Sequence, residues 1–313
     1  MILSGKDISI RFQQELAEQV KTVFAGKNPY VAVIFLGDNP GSAIYVKNKK
    51  KYGELVGLPV VVFGQNHLPE YDKTQVKSDE DVVIYVNQTY DTIFKVMELI
   101  DYLNYDADCV GILIQMPLPQ QFEEYKEKMV AAITPEKDVD GLGGVILGIS
   151  EIGLIDFVPA TPRAVLYLLE QYELADLRGK LVTIIGQSNI VGKPLALECI
   201  KRGSTVYSCN IDTPIKKIKA ICKYSDYIIS CTGTVHLVDS TFIRDDQTQI
   251  IVDVGYGHID GKPVGDVKIE EIADKVSAYT PVPGGVGPLT VACIFANVLT
   301  LQSYAEVLKP YKL

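Results

Sequence analysis

Gly186-Gln187-Ser188-Asn189-Ile190-Val191-Gly192 stands between the apolar run Leu181–Ile185 and the helical sequence Gly192–Arg202. A glycine-bounded turn that leaves a strand and opens a helix is the setting of a dinucleotide-phosphate loop. Glycines let the backbone approach a pyrophosphate, and the helix N-terminus offers N–H groups and the positive end of its dipole. The stretch departs from a strict G-x-G-x-x-G: Ser188 takes the middle glycine's place and the last glycine comes one residue late. Pro194 suits the first helical turn. An ordinary βα turn is the competing reading, and the flanking pattern has to separate the two.

Working outward, Thr205–Cys209, Tyr227–Cys231 and Ile250–Val254 read as further buried strands, the last ending at Gly255. Upstream, helix and strand alternate: Asp7–Phe24, strand Tyr30–Leu36, helix Ser42–Val56, strand Pro59–Phe63, helix Tyr90–Leu103, strand Val110–Gln115. Ser42 is the expected N-cap of its helix and Gly57 its stop. Such alternation predicts an α/β chain with mostly parallel sheets. Between Gly64 and Gln88 lies a polar segment with one apolar patch, Val82–Val86, open to reading as a surface excursion or a small hairpin. The Gly-rich stretch Gly141–Gly153 is the expected domain boundary, ahead of Val158–Pro162 and the helix Arg163–Tyr172. Residues 1–150 and 151–289 then form two domains. Thr290 is read as the N-cap of a closing helical region, Val291–Leu308, and residues 290–313 are expected to pack back on the first domain.

The chain has 313 residues, 47% hydrophobic and 22% charged, with a net charge of −9. The length suits two domains, and the acidic balance argues against nucleic acid or an anionic membrane as a general partner. No apolar run approaches a bilayer span, and Met1–Gly5 does not begin a signal peptide. Six scattered cysteines without a C-x-x-C pair fit thiols in a reducing cytoplasm. His67, His236 and His258 lack metal-ligand spacing, so no metal site is expected.

Several residues are candidates for chemistry. Asp212 lies about 20 residues past Gly192, where an acidic side chain binds the adenosine ribose of NAD. A 2′-phosphate would want arginine, but Gln187, Asn210 and Ile211 are the neighbours. Two like charges at 4 Å repel by roughly 4 kcal/mol at an effective dielectric of 20. Asp212 facing the ribose therefore favours NAD; Asp212 facing solvent is the plainer alternative. Tyr45 and Lys49 share one helix face, and a lysine shielded from water can shuttle protons near neutrality. Lys47, Lys50 and Lys51 beside it make a solvated basic face the competing account. Gln115 ends a strand ahead of Pro117 and Pro119, where α/β sheets place ligand groups. Asp138 and Asp140, two apart in a loop, point opposite ways if extended, so one can meet a ligand while the other caps. Pro281-Val282-Pro283-Gly284-Gly285-Val286-Gly287-Pro288 is a stiff loop poor in side chains, suited to a ligand-contacting wall.

Taken in order, Ser42–Lys49, Gln115–Pro119, Lys137–Gly141, Pro159–Pro162, Gly186–Pro194, Val252–Gly255, Gly265–Val267 and Pro281–Thr290 resemble one family. The chain is similar, essentially end to end, to the bacterial-type bifunctional methylenetetrahydrofolate dehydrogenase/methenyltetrahydrofolate cyclohydrolases. The resemblance implies an N-terminal three-layer α/β folate-binding domain and a Rossmann-type doubly wound parallel sheet, with substrate in the cleft between them. It also implies a homodimer formed mainly through the Rossmann domains. On this resemblance Lys49 is the proton-transfer group, Tyr45 stacks on the folate, Gln115 orients Lys49, and Asp140 anchors the pterin. Pro281, Gly284 and Gly285 border the folate. Gly186, Gln187, Ser188 and Ile190 hold the coenzyme, with Tyr256 near the nicotinamide. The family uses NADP more commonly, often with arginine at the position of Gln187; Gln187, Ile211 and Asp212 lean instead to NAD. Ala160 replaces a cysteine common in relatives. The altered corner leaves open a cyclohydrolase with weak hydride transfer. A non-catalytic folate or nucleotide sensor would be expected to lack Tyr45, Lys49, Gln115 and Asp140, all of which are present.

Overall fold

The computed structural model describes residues 1–37, 39–64 and 89–311; the polar segment noted above falls, from residue 65 to 88, outside the described residues. The chain divides into two compact units, Gln13–Phe157 with Ile294–Leu313, and Met1–Phe12 with Val158–Cys293.

The first unit is built on a three-stranded parallel sheet of β1 (Tyr30–Ile34), β2 (Val60–Phe63) and β3 (Cys109–Ile114), in the order β2-β1-β3. Every residue of the three strands is buried, which is why they read as unbroken apolar runs rather than alternating ones. Helices α1 (Lys6–Val23), α2 (Pro40–Val56) and α3 (Ile93–Tyr105) accompany it. Val96, Leu99, Ile100 and Leu103 of α3 pack with Ala32, Ile34, Phe63, Ile112 and Ile114 in one core. Asn39, rather than Ser42, caps α2. The Asn39 carboxamide oxygen accepts from Ser42 N, and Pro40 occupies the first turn, where a missing N–H costs nothing. Gly57 ends the helix in the left-handed region, as read. The Gly-rich stretch after Asp140 is not a linker but contains α4 (Gly144–Glu151), and the units divide later, at Phe157.

The second unit carries α5 (Ala160–Gln171), β4 (Leu181–Ile185), α6 (Gly192–Lys201), β5 (Thr205–Cys209), α7 (Ile215–Cys222), β6 (Tyr227–Ser230) and β7 (Ile250–Asp253). A hairpin of β8 (Gly257–Ile259) and β9 (Lys262–Val264) turns through Asp260 and Gly261, both at positive φ, and β10 (Ala278–Tyr279) follows. The five-stranded sheet runs β10-β7-β6-β4-β5, all parallel. Its order reverses at β4, which is the doubly wound pattern, and ligands of such sheets bind outside the strand ends at that reversal. Ile185, Ile218, Ile228, Phe242, Ile251 and Val267 form its core. The first residues of the chain belong to this unit because Ile2 bridges Tyr279 alongside β10, with Leu3 N donating to Tyr279 O and Tyr279 N to Met1 O. The sequence reading had assigned them to the first domain.

The closing helix, α8 (Gly287–Ser303), begins three residues before Thr290, whose hydroxyl instead donates to Val286 O within the first turn. Its residues from Ile294 onward belong to the first unit, where Phe295 stacks on Tyr52 and Asn297 donates to Val139 O.

Candidate active site

In the first unit α2 brings Lys49 inward: the residue is 9% exposed, although Lys47 and Lys51 on the same helix are exposed. The Lys49 ammonium donates to Gln115 Oε1 at 2.8 Å. Gln115 follows β3 and extends its ladder through Gln115 N to Ile34 O. Its amide NH2 donates to Met116 O at 2.7 Å, and Ser42 Oγ donates to the same carbonyl. The orientation follows from chemistry: lysine only donates and a carbonyl only accepts, so the amide presents oxygen to one and nitrogen to the other. Burial pushes Lys49 below the ordinary lysine range, while the Asp140 carboxylate pulls the other way. Burial likewise pushes Asp140 above the carboxylate range against the opposing pull of Lys49. A lysine depressed in this way can exchange protons near neutral pH.

The loop Pro135–Gly141 separates its charges by task. Asp138 is buried and its carboxylate accepts from Gly141 N, Leu142 N and Gly143 N, a structural cap, with burial pushing it up to about 6. Asp140 is coupled electrostatically to Lys49. Lys137 is a residue that the sequence reading passed over: its ammonium donates to Leu103 O, Asn104 O and Asp106 O, closing the end of α3. Only the fold brings Lys137 to those carbonyls. Tyr45 lies one turn before Lys49 and is 37% exposed.

In the second unit the fingerprint loop leaves β4 at the point where the strand order reverses. Gly186 has a φ of 118°, and a Cβ there would lie 2.6 Å from Cys231 O; a Cβ on Gly192 would lie 1.9 Å from Gly186 O. The two glycine positions are therefore closed to side chains. Val191 N donates to Ser188 Oγ and Lys193 N to Ser188 O. The N–H groups of Gln187, Ser188, Asn189 and Ile190 donate no hydrogen bond among the described residues. A tight turn bounded by two obligatory glycines, with available N–H groups at a helix start, fits a nucleotide pyrophosphate. Gln187 is held to β5 through Ser208 O and Ser208 Oγ. Asp212 is exposed in a turn closed by Asn210, and Ile211 is fully exposed. Tyr256 is partly exposed and sits edge-on to His258.

The Pro281–Pro288 loop takes its glycines from internal packing. A Cβ on Gly285 would lie 2.7 Å from Pro281 O, and one on Gly5 would lie 2.1 Å from Gly285 O. Gly5 N donates to Gly284 O and Ser9 Oγ to Pro288 O, so the start of the chain braces the loop.

Comparison with known proteins matches each unit to a domain of one family. Residues 3–140 match the model of the tetrahydrofolate dehydrogenase/cyclohydrolase catalytic domain, and residues 159–306 that of the NAD(P)-binding domain of the same family. The chain is 39% identical over 308 residues to the bifunctional protein FolD of Aquifex aeolicus, covering 97% of this chain and 95% of the relative. Among solved structures, the bifunctional FolD methylenetetrahydrofolate dehydrogenase/cyclohydrolase of Campylobacter jejuni aligns with a TM-score of 0.83 and 37% identity, covering 97% and 99%. The Trypanosoma brucei methylenetetrahydrofolate dehydrogenase-cyclohydrolase, solved with NADP and an inhibitor, aligns with a TM-score of 0.81 and 27% identity, covering 98% of each chain. With a buried lysine in one unit, a dinucleotide turn in the other and both family domains matched along its length, the chain belongs to the tetrahydrofolate dehydrogenase/cyclohydrolase family of bifunctional one-carbon enzymes.

Proposed function

We propose that Lys49, Gln115 and Asp140 carry the cyclohydrolase half of this enzyme's work, the conversion of 5,10-methenyltetrahydrofolate to 10-formyltetrahydrofolate. The observation that supports this reading is the burial of Lys49, whose ammonium donates to the Gln115 amide oxygen and feels the charge of the Asp140 carboxylate. Neutral Lys49 takes a proton from water as its oxygen bonds to the methenyl carbon. The carbinol proton then passes to the ring nitrogen as the carbon–nitrogen bond breaks, and one proton leaves in sum. Gln115 holds the amine in line, Asp140 accepts from the amino and ring N–H groups of the pterin, and Tyr45 offers its ring for stacking. For the preceding oxidation of 5,10-methylenetetrahydrofolate, a bound nicotinamide supplies the carbon that accepts hydride from the one-carbon bridge. Gly186, Gln187, Ser188 and Ile190 would hold its phosphates, and Tyr256 would serve its nicotinamide end. Lys49→Met tests the assignment: hydrolysis of the methenyl substrate should fall by about a thousandfold while folate still binds. Retained hydrolysis would refute it.

The coenzyme is NAD in preference to NADP. The T. brucei relative was solved with NADP, so the preference rests on this chain's own Gln187, Ile211 and Asp212. None is a cation that would seat a 2′-phosphate, and Asp212 repels one. Turnover with each coenzyme, followed at 340 nm, should favour NAD by tenfold or more; an advantage for NADP would overturn it. The working assembly is a homodimer through the second unit, in the cytoplasm. The edge strand β5, with Tyr207, Leu197 and Ile200 exposed beside it, supports the dimer, and six free thiols fit a reducing compartment.

A further inference from the structure

Two buried carboxylates in the second unit lie outside the roles assigned above. Asp253 is the last residue of β7, and Asp266 follows the β8–β9 hairpin; they are 1% and 0% exposed. Asp266 Oδ2 accepts from Ser230 Oγ (2.8 Å), Thr232 N (2.7 Å) and Thr232 Oγ1 (2.9 Å), all at the C-terminal end of β6. Asp253 Oδ1 accepts from Gly255 N (2.9 Å) and Asp266 N (3.1 Å), and Asp253 Oδ2 from Val267 N (2.9 Å). Each carboxylate also presses on a glycine. A Cβ on Gly255 would lie 1.9 Å from Asp266 Oδ1, and one on Gly265 would lie 1.9 Å from Asp253 Oδ2.

These contacts reach the coenzyme-facing end of the sheet from both sides. Cys231, between Ser230 and Thr232, abuts Gly186: a Cβ on Gly186 would lie 2.8 Å from its Sγ as well as against its carbonyl. Gly255 directly precedes Tyr256. Asp266 Oδ1 has no hydrogen-bond partner among the described residues and lies against Gly255. A buried polar acceptor is tolerable only while its donors stay in place. A shift of Thr232 or Gly255 would therefore strand a carboxylate, which makes the pair a stiffer brace than apolar packing.

We propose that Asp253 and Asp266 are positioning residues for hydride transfer. They hold the segment after β6 against Gly186 and the segment after β7 that carries Tyr256, so that the coenzyme meets a preset edge. The proposal rests on the reading of that edge as the nicotinamide coenzyme site.

Coenzyme binding by equilibrium dialysis, together with both activities and the thermal midpoint, tests it. Asp266→Ala removes the acceptor for three donors. It should weaken coenzyme binding and raise the coenzyme KM at least tenfold, with hydrolysis of the methenyl substrate within twofold of wild type. Asp266→Asn keeps one acceptor oxygen for Ser230 and Thr232 and should recover binding to within threefold. Coenzyme binding unchanged in Asp266→Ala, a parallel fall of both activities, or no rescue by asparagine would each overturn the proposal. Should Asp266→Ala fail to fold, Thr232→Val decides. It deletes one hydroxyl donor and should raise the coenzyme KM three- to tenfold; no change overturns the proposal. A wild-type protein that binds neither NAD nor NADP would instead refute the coenzyme site itself.

Discussion

Lys49 acquires its role from depth rather than from identity. Four lysines crowd residues 47–51, and charge pattern alone cannot rank them; the resemblance singles out Lys49, and the structure buries it and gives it Gln115 as acceptor. Gln115→Leu removes that acceptor and should lower the cyclohydrolase rate by roughly ten- to a hundredfold, with folate binding less affected. The pH profile should carry the same signature. If neutral Lys49 is the active form, the rate rises with pH and levels off below the ordinary lysine value, because burial lowers the lysine. Asp140 opposes that shift, so Asp140→Asn should move the rising limb to lower pH, besides weakening folate binding. A limb that stays put would mean that the two groups are not coupled.

The elements that hold these residues were legible wherever burial is two-sided. The runs Tyr30–Ile34, Leu181–Ile185 and Ile250–Asp253 could be read directly because parallel strands covered on both faces carry no polar alternation. Helix starts were less legible. Asn39 caps α2 from a position that its Pro and Gly neighbours disguise as loop, and Gly144 and Gly148 hide α4 inside an apparent linker. Asn39→Ala should cost about 1 kcal/mol in a denaturant titration. Gly192→Ala sets a Cβ at 1.9 Å from Gly186 O and should abolish coenzyme binding by opening the fingerprint turn. The hydrolytic rate should persist, because Lys49, Gln115 and Asp140 lie in the other unit.

For the whole molecule, two predictions follow from surface and from buried charge. Strand β5 is an unpaired edge flanked by exposed Tyr207, Leu197 and Ile200. If the proposed homodimer forms through this edge, Tyr207→Lys should shift sedimentation from dimer to monomer without loss of secondary structure. Burial pushes Asp253 up to about 7, whereas the unfolded chain ionises it near 4. Between those values the native state holds more protons than the unfolded one, so stability falls as pH rises. The wild type should therefore lose up to about 4 kcal/mol relative to Asp253→Asn between pH 4 and pH 7, with no further change above.

Read alone, the sequence determined the alternation of helix and strand, the dinucleotide turn after β4 and the set of candidate side chains, because periodicity and glycine spacing are local properties of the chain. The tertiary structure decided which lysine is buried, that Asp138 caps while Asp140 couples to Lys49, and that residues 1–12 join a unit beginning again at Val158. Those outcomes depend on atoms far apart in sequence, such as Lys49 with Gln115 and Leu3 with Tyr279, and desolvation is set by what packs around a group rather than by its neighbours along the chain.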